Sequence, residues 1–285
     1  MHHATIIFNS SFDAAERCAG DIIQARVGGP LYIIESRRSS APLASNAIRV
    51  RQDKLEDLYC RIASTQGACT VQVLADCSEP VLDFMKEYPG TAADFGVAVM
   101  STTRDKESQE KLIDTFEEMV HLGMERAQVR FLFVQAPRDQ PLESEYPTLM
   151  GYLKSSCAQP VVSPAVLYES VAFSKIREHQ LAVAPMLSGE TNFQTMLEAA
   201  RQRGDNEVAL RNLSQKLLAQ RALHACRNDI EKAVAALQLP GDTALRQPQP
   251  GAHLPAPEEN SVAPGAADAT PGTMCAAVDG TELDG

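Results

Sequence analysis

The sequence predicts an α/β protein: a mostly parallel sheet with helices on both faces, a helical C-terminal region and a disordered tail. Three observations carry that prediction. Short apolar runs alternate with amphipathic stretches of helical length through the first half of the chain, which is the pattern of right-handed βαβ crossovers. From about residue 164 the apolar spacing turns helical and stays so. After Leu239 the large apolar residues thin out, and residues 240–285 carry seven prolines with an acidic excess. Such a segment buries too little surface to offset ordering entropy. The expected organisation is therefore one domain over 1–239 and a disordered acidic tail over 240–285.

The elements follow in order. Residues 4–8 form an apolar strand, and 13–25 a helix ended by Gly28-Gly29-Pro30. Residues 31–35 make the second strand, 53–64 a helix, 70–75 the third strand and 80–87 another helix. The fourth strand spans 95–100. The helix over 106–122 repeats Leu112, Phe116, Met119 and Val120 at helical spacing and stops at Gly123. A strand at 129–134 precedes a loop with Pro137, Pro141 and Pro147, a short helix, and a last strand at 160–162. In the C-terminal region Leu210, Leu213, Leu217, Cys226, Ile230, Val234 and Leu237 form an apolar stripe. It is read as a helix or helix pair docking on the sheet, with a partner- or dimer-binding face as the alternative.

Composition excludes several classes. A net charge of −11 opposes non-specific coating of nucleic acid, which needs concentrated positive charge. No secretory leader and no membrane-length apolar run is read in the chain. Its seven cysteines are scattered and never form Cys-x-x-Cys, so neither a disulfide framework nor a zinc site is expected. The expected compartment is the cytoplasm.

The first loop is the informative place. A strand–loop–helix opening is where a phosphate cradle forms, from glycines that let backbone N–H groups converge and a lysine that adds charge. Here Asn9-Ser10-Ser11-Phe12-Asp13-Ala14-Ala15-Glu16-Arg17 contains no glycine, and no lysine precedes Lys54. Asp13 and Glu16 place negative charge at the helix N-terminus. They favour the helix there and oppose a triphosphate, by about 4 kcal/mol for like charges about 4 Å apart at a surface-like dielectric.

Three segments resemble the deviant P-loop ATPases of the ParA/MinD group, and within it plasmid stability and transfer proteins of the StbB type. They are Ile7-Phe8-Asn9-Ser10-Ser11 with Ile22–Arg26 and Tyr32–Ser36; Val73-Leu74-Ala75-Asp76; and Ser101–Gln109 with Thr115, Gly123 and Val129–Pro137. The resemblance implies a P-loop NTPase-like fold and a role in plasmid or other mobile-element stability, partition or conjugative transfer. Aligned on that pattern, Ala14 and Ala15 stand at the family's Gly-Lys pair. The expectation is a degenerate phosphate loop over Ser10–Arg17, with no nucleotide, metal or other cofactor and no catalytic residue. The implied partner is a protein: an intact ParA-like ATPase, or a second copy of this chain.

Two alternatives stand beside it. One is a working divergent ATPase using ATP and Mg²⁺, with Asp76 as the residual metal-holding acid and a basic side chain such as Lys106 arriving from elsewhere. Asp76 also reads as a loop acid ahead of Pro80. The other is a DNA-binding regulator using Arg37, Arg38, Arg49 and Arg51, which otherwise read as a solvated basic loop without the interleaved aromatics of single-strand binders. Cys18, Cys69 and Cys77 read as small core residues, since no histidine is linked to them by a motif.

Overall fold

A computed structural model describes residues 4–36, 47–156 and 164–239. Seven strands, β1 (Ala4–Asn9), β2 (Leu31–Glu35), β3 (Ala47–Arg51), β4 (Cys69–Val73), β5 (Val97–Thr102), β6 (Val129–Ala136) and β7 (Ala165–Tyr168), form one sheet in the order β3-β2-β4-β1-β5-β6-β7. Every pairing in it is parallel. The predicted α/β class is what the chain adopts, with the first strand at the centre of the sheet.

Side chains alternate between two cores. Ala4, Ile6 and Phe8 of β1 and Cys69, Val71 and Val73 of β4 enter the core shared with α2 (Leu55–Ser64), α3 (Ser78–Glu87), α4 (Lys106–His121) and α6 (Pro147–Ser156). Ile7 enters the opposite core, with α1 (Ala14–Val27), α7 (Val171–Glu178), α8 (Val183–Ser188), α9 (Phe193–Arg203), α10 (Glu207–Ala225) and α11 (Arg227–Leu237). A short helix, α5 (Leu142–Glu145), precedes α6. Two-sided burial is why these strands read as near-continuous apolar runs.

The connection β1–α1–β2 therefore runs over one face, while β4 and β5 on either side of β1 send their helices to the other. The order of the sheet reverses about β1, and such a switch point opens a crevice at the C-terminal ends of the strands. The loop after Asn9 sits there.

Three sequence readings are corrected and one is kept. Arg49 and Arg51 belong to edge strand β3, whose charged, exposed residues hid its strand character; they are not part of a loop. The last strand is β7 at Ala165–Tyr168, beyond Pro164, while residues 160–162 lie outside the described residues. The fourth strand in the predicted order, read at 95–100, runs Val97–Thr102. The C-terminal stripe is a pair of helices broken at Cys226; Leu217, Ile230, Val234 and Leu237 are buried in the α1-side core, so the docking reading holds. The tail, 240–285, also lies outside the described residues.

Candidate functional site: the first loop and its internal carboxylate

Asp13 starts α1. Its carboxylate accepts the Ala15 N–H at 2.7 Å, an N-cap that satisfies one orphan donor of the helix. The same side chain accepts from Gln135 Nε2. Gln135 lies at the β6 irregularity with φ 63°, a left-handed conformation uncommon outside glycine. Asp13 is thus spent on the helix end and on a neighbouring strand.

Glu16, one turn on, points back under the loop and is fully buried. Its Oε1 accepts from Ser10 N–H at 3.1 Å, Ser10 Oγ at 2.9 Å and Ser101 Oγ at 3.2 Å. Its Oε2 accepts from Ser11 N–H at 2.7 Å and Ser11 Oγ at 2.6 Å. Two consecutive backbone amides and three hydroxyls therefore converge on one carboxylate. Burial drives the Glu16 pKa up to about 7, and the Ser11 and Ser10 donors oppose that rise.

A second polar layer fixes the backbone beneath. Gln72 Nε2 donates to the Glu16 carbonyl at 2.8 Å, and Asn9 Nδ2 donates to the same carbonyl at 3.3 Å. The Ser101 hydroxyl, with a single proton to share, also lies 3.3 Å from Asn9 Oδ1. Gly20 lets α1 come this close: a Cβ there would lie 2.2 Å from Gln72 Oε1.

The other predicted residues are placed as follows. Phe12 is 46% exposed at the loop tip, with the Arg17 guanidinium 5.6 Å from its ring centroid and Arg177 donating to its carbonyl. Ala14 is partly buried and Ala15 buried, both packed in the α1-side core. Asp76 lies just past β4, exposed, accepting from Ser36 Oγ at 2.5 Å; it has no hydrogen bond to the Glu16 cluster. Lys106 is solvated and pairs with Glu110, whereas Lys111 is the lysine that reaches the strand ends, donating to the Ala75 carbonyl. Arg49 pairs with Glu35 at 2.9 Å and Arg51 with Asp53 at 2.8 Å, while Arg37 and Arg38 lie outside the described residues. Among the described residues no cluster of three His, Cys, Asp or Glu side chains stands together to hold a metal ion, and no helix is long and apolar enough to cross a membrane.

Sequence reasoning placed Glu16 at the right loop as a repelling charge, and missed that it turns inward. It quoted Asn9 and Ser101 only as parts of the resembling segments, without a role, and gave no role to Gln72 or Asp21. The available signal was polar residues at inward positions of apolar segments, as in Thr70-Val71-Gln72-Val73 and Gly20-Asp21-Ile22-Ile23.

The Ser10 and Ser11 amides hold the Glu16 carboxyl, and no glycine or lysine is present between Asn9 and Arg17. No family model matches the sequence, and no curated protein matches it. Among solved structures the chain is similar to a ParA family ATPase from Chlorobium tepidum TLS. The two are 10% identical, with a TM-score of 0.41, over 67% of this chain and 94% of that one.

Proposed function

We propose that this chain is a non-catalytic, ParA-like scaffold that works by protein–protein contacts. The observation that supports it is the Glu16 carboxylate, seated on the Ser10 and Ser11 amides where a phosphate would have to bind. An anion supplied by the chain itself removes the binding energy that an NTPase draws from that loop. The StbB-type resemblance supports placing the protein in the stability, partition or transfer of a plasmid or other mobile element, in the cytoplasm. Its partner is then an intact ParA-like ATPase or a second copy.

Titration calorimetry with ATP and Mg²⁺, alongside light scattering, tests this reading. The expected result is no heat of binding up to millimolar ATP and one mass with or without nucleotide. Micromolar ATP affinity, or a nucleotide-driven change of mass, overturns it. Pull-down with an intact ParA-like ATPase separates the two partners.

A further inference from the structure

The loop that turns Glu16 inward turns its one large apolar side chain outward. Phe12, between β1 and α1, is 46% exposed. Two arginines from different helices hold this tip. The Arg17 guanidinium of α1 lies 5.6 Å from the Phe12 ring centroid, and Arg177, in the last turn of α7, donates to the Phe12 carbonyl at 2.9 Å. An exposed phenyl group held in this way is preorganised, so a partner that meets it loses little free energy in ordering it.

The same two arginines lack acidic partners. Among the described residues no carboxylate stands within ion-pair distance of Arg17 or Arg177, and the Arg17 guanidinium makes no hydrogen bond. Arg49, Arg51, Arg104, Arg126 and Arg138 each meet a carboxylate on this chain, which carries 37 acids against 26 lysines and arginines. The acids that act on Arg17 from further off are engaged elsewhere, Glu35 with Arg49 and Asp76 with Ser36. Burial first, and then the like charge of Arg177, lower the Arg17 pKa. An incoming carboxylate would relieve that repulsion through charge-assisted hydrogen bonds.

We propose that the tip formed by Phe12, Arg17 and Arg177 docks an acidic segment of a partner protein, its carboxylates on the guanidiniums and an apolar side chain on the Phe12 ring. Arg177 is exposed and uses one of its five N–H donors on the Phe12 carbonyl, so the rest are open to a carboxylate. A nucleic acid is the poorer occupant, because its continuous run of phosphates would cross a chain of net charge −11 with two cations here to neutralise it. The inference rests on the contact-based reading above and names the chemistry of the partner.

The test is fluorescence anisotropy on the full chain with a labelled peptide whose core is Glu-Glu-Leu-Glu-Glu. Its controls are the same peptide with glutamine for glutamate, the same peptide with alanine for leucine, and a single-stranded DNA of equal length. The expected result is saturable binding of the acidic peptide, weakened about ten-fold or more in both peptide controls and in Arg177→Gln and Phe12→Ser. Both substitutions lie at exposed positions, and circular dichroism verifies their fold. Absence of saturable peptide binding at millimolar concentration overturns the proposal. DNA binding as tight as the peptide overturns it, and so does wild-type affinity in both variants. A wild-type dimer in light scattering that Phe12→Ser turns into a monomer assigns the tip to a second copy and also overturns it. Micromolar ATP affinity would instead sink the scaffold reading, in a separate titration, so the two failures are told apart.

Discussion

Two buried acids on α1 make an unusual prediction about pH. Glu16 rises from 4.5 to about 7 and Asp21 from 3.8 to about 7, in both cases chiefly because burial penalises the charged form. Both folded-state values lie above the unfolded ones, so between them the native chain binds more protons than the unfolded chain. Stability must then fall as pH rises through that window. Integrating from pH 5.5 to 8.0 gives roughly 2 kcal/mol for Glu16 and roughly 2 kcal/mol for Asp21, about 4 kcal/mol together. The assay is urea unfolding of the full chain at several pH values, following helical circular dichroism. The expected unfolding free energy is highest near pH 5.5 and declines steadily to pH 8, with about half the slope removed in Asp21→Asn. A flat or rising profile between those pH values refutes the reasoning, and so does an Asp21→Asn profile with unchanged slope.

Other outcomes follow from the same contacts. Glu16→Ala leaves the Ser10 and Ser11 amides and their hydroxyls facing a void, at a cost of about 2–4 kcal/mol near pH 6. Sulfate should restore part of the lost melting temperature by entering the emptied nest, beyond its general effect on the wild type at matched ionic strength. Gly20→Ala should fail to give the gain of about 1 kcal/mol that helix propensity promises. The new Cβ would meet Gln72 Oε1, and overpacking costs about 1–3 kcal/mol, so thermal denaturation should show a neutral to destabilised variant. Tyr146→Phe removes the 2.5 Å hydrogen bond to the Val134 carbonyl beneath β6 and should cost about 1–2 kcal/mol by chemical denaturation. Leu223→Ala opens a cavity where α10 is fully buried in the α1-side core and should cost about 2–5 kcal/mol by the same measurement.

Periodicity carried most of the fold. The two-sided burial of β1, β2 and β4 shows as apolar runs, and Leu112, Phe116 and Met119 mark the buried face of α4 without ambiguity. β3 was illegible because Arg49 and Arg51 give a five-residue edge strand the composition of a solvated loop. Its strand identity comes only from pairing with β2. The site was half legible. The missing glycines and lysine are local facts, read directly from Asn9–Arg17. The inward turn of Glu16 depends on Ser101, 85 residues away in sequence, and on the switch-point geometry of β1 and β5. No periodicity encodes a contact of that range. Gln72 and Asp21 were passed over because an isolated polar residue in an apolar segment looks like noise until the facing helix is known.

The seat under Ser10 and Ser11 is taken by something that cannot diffuse away. A tethered carboxyl pays none of the translational and rotational entropy that a free phosphate loses on binding, so it holds the seat without depending on concentration. Grafting a lysine onto this loop would leave the Ser10 and Ser11 amides occupied, and removing Glu16 to free them would leave an empty, weakened first turn.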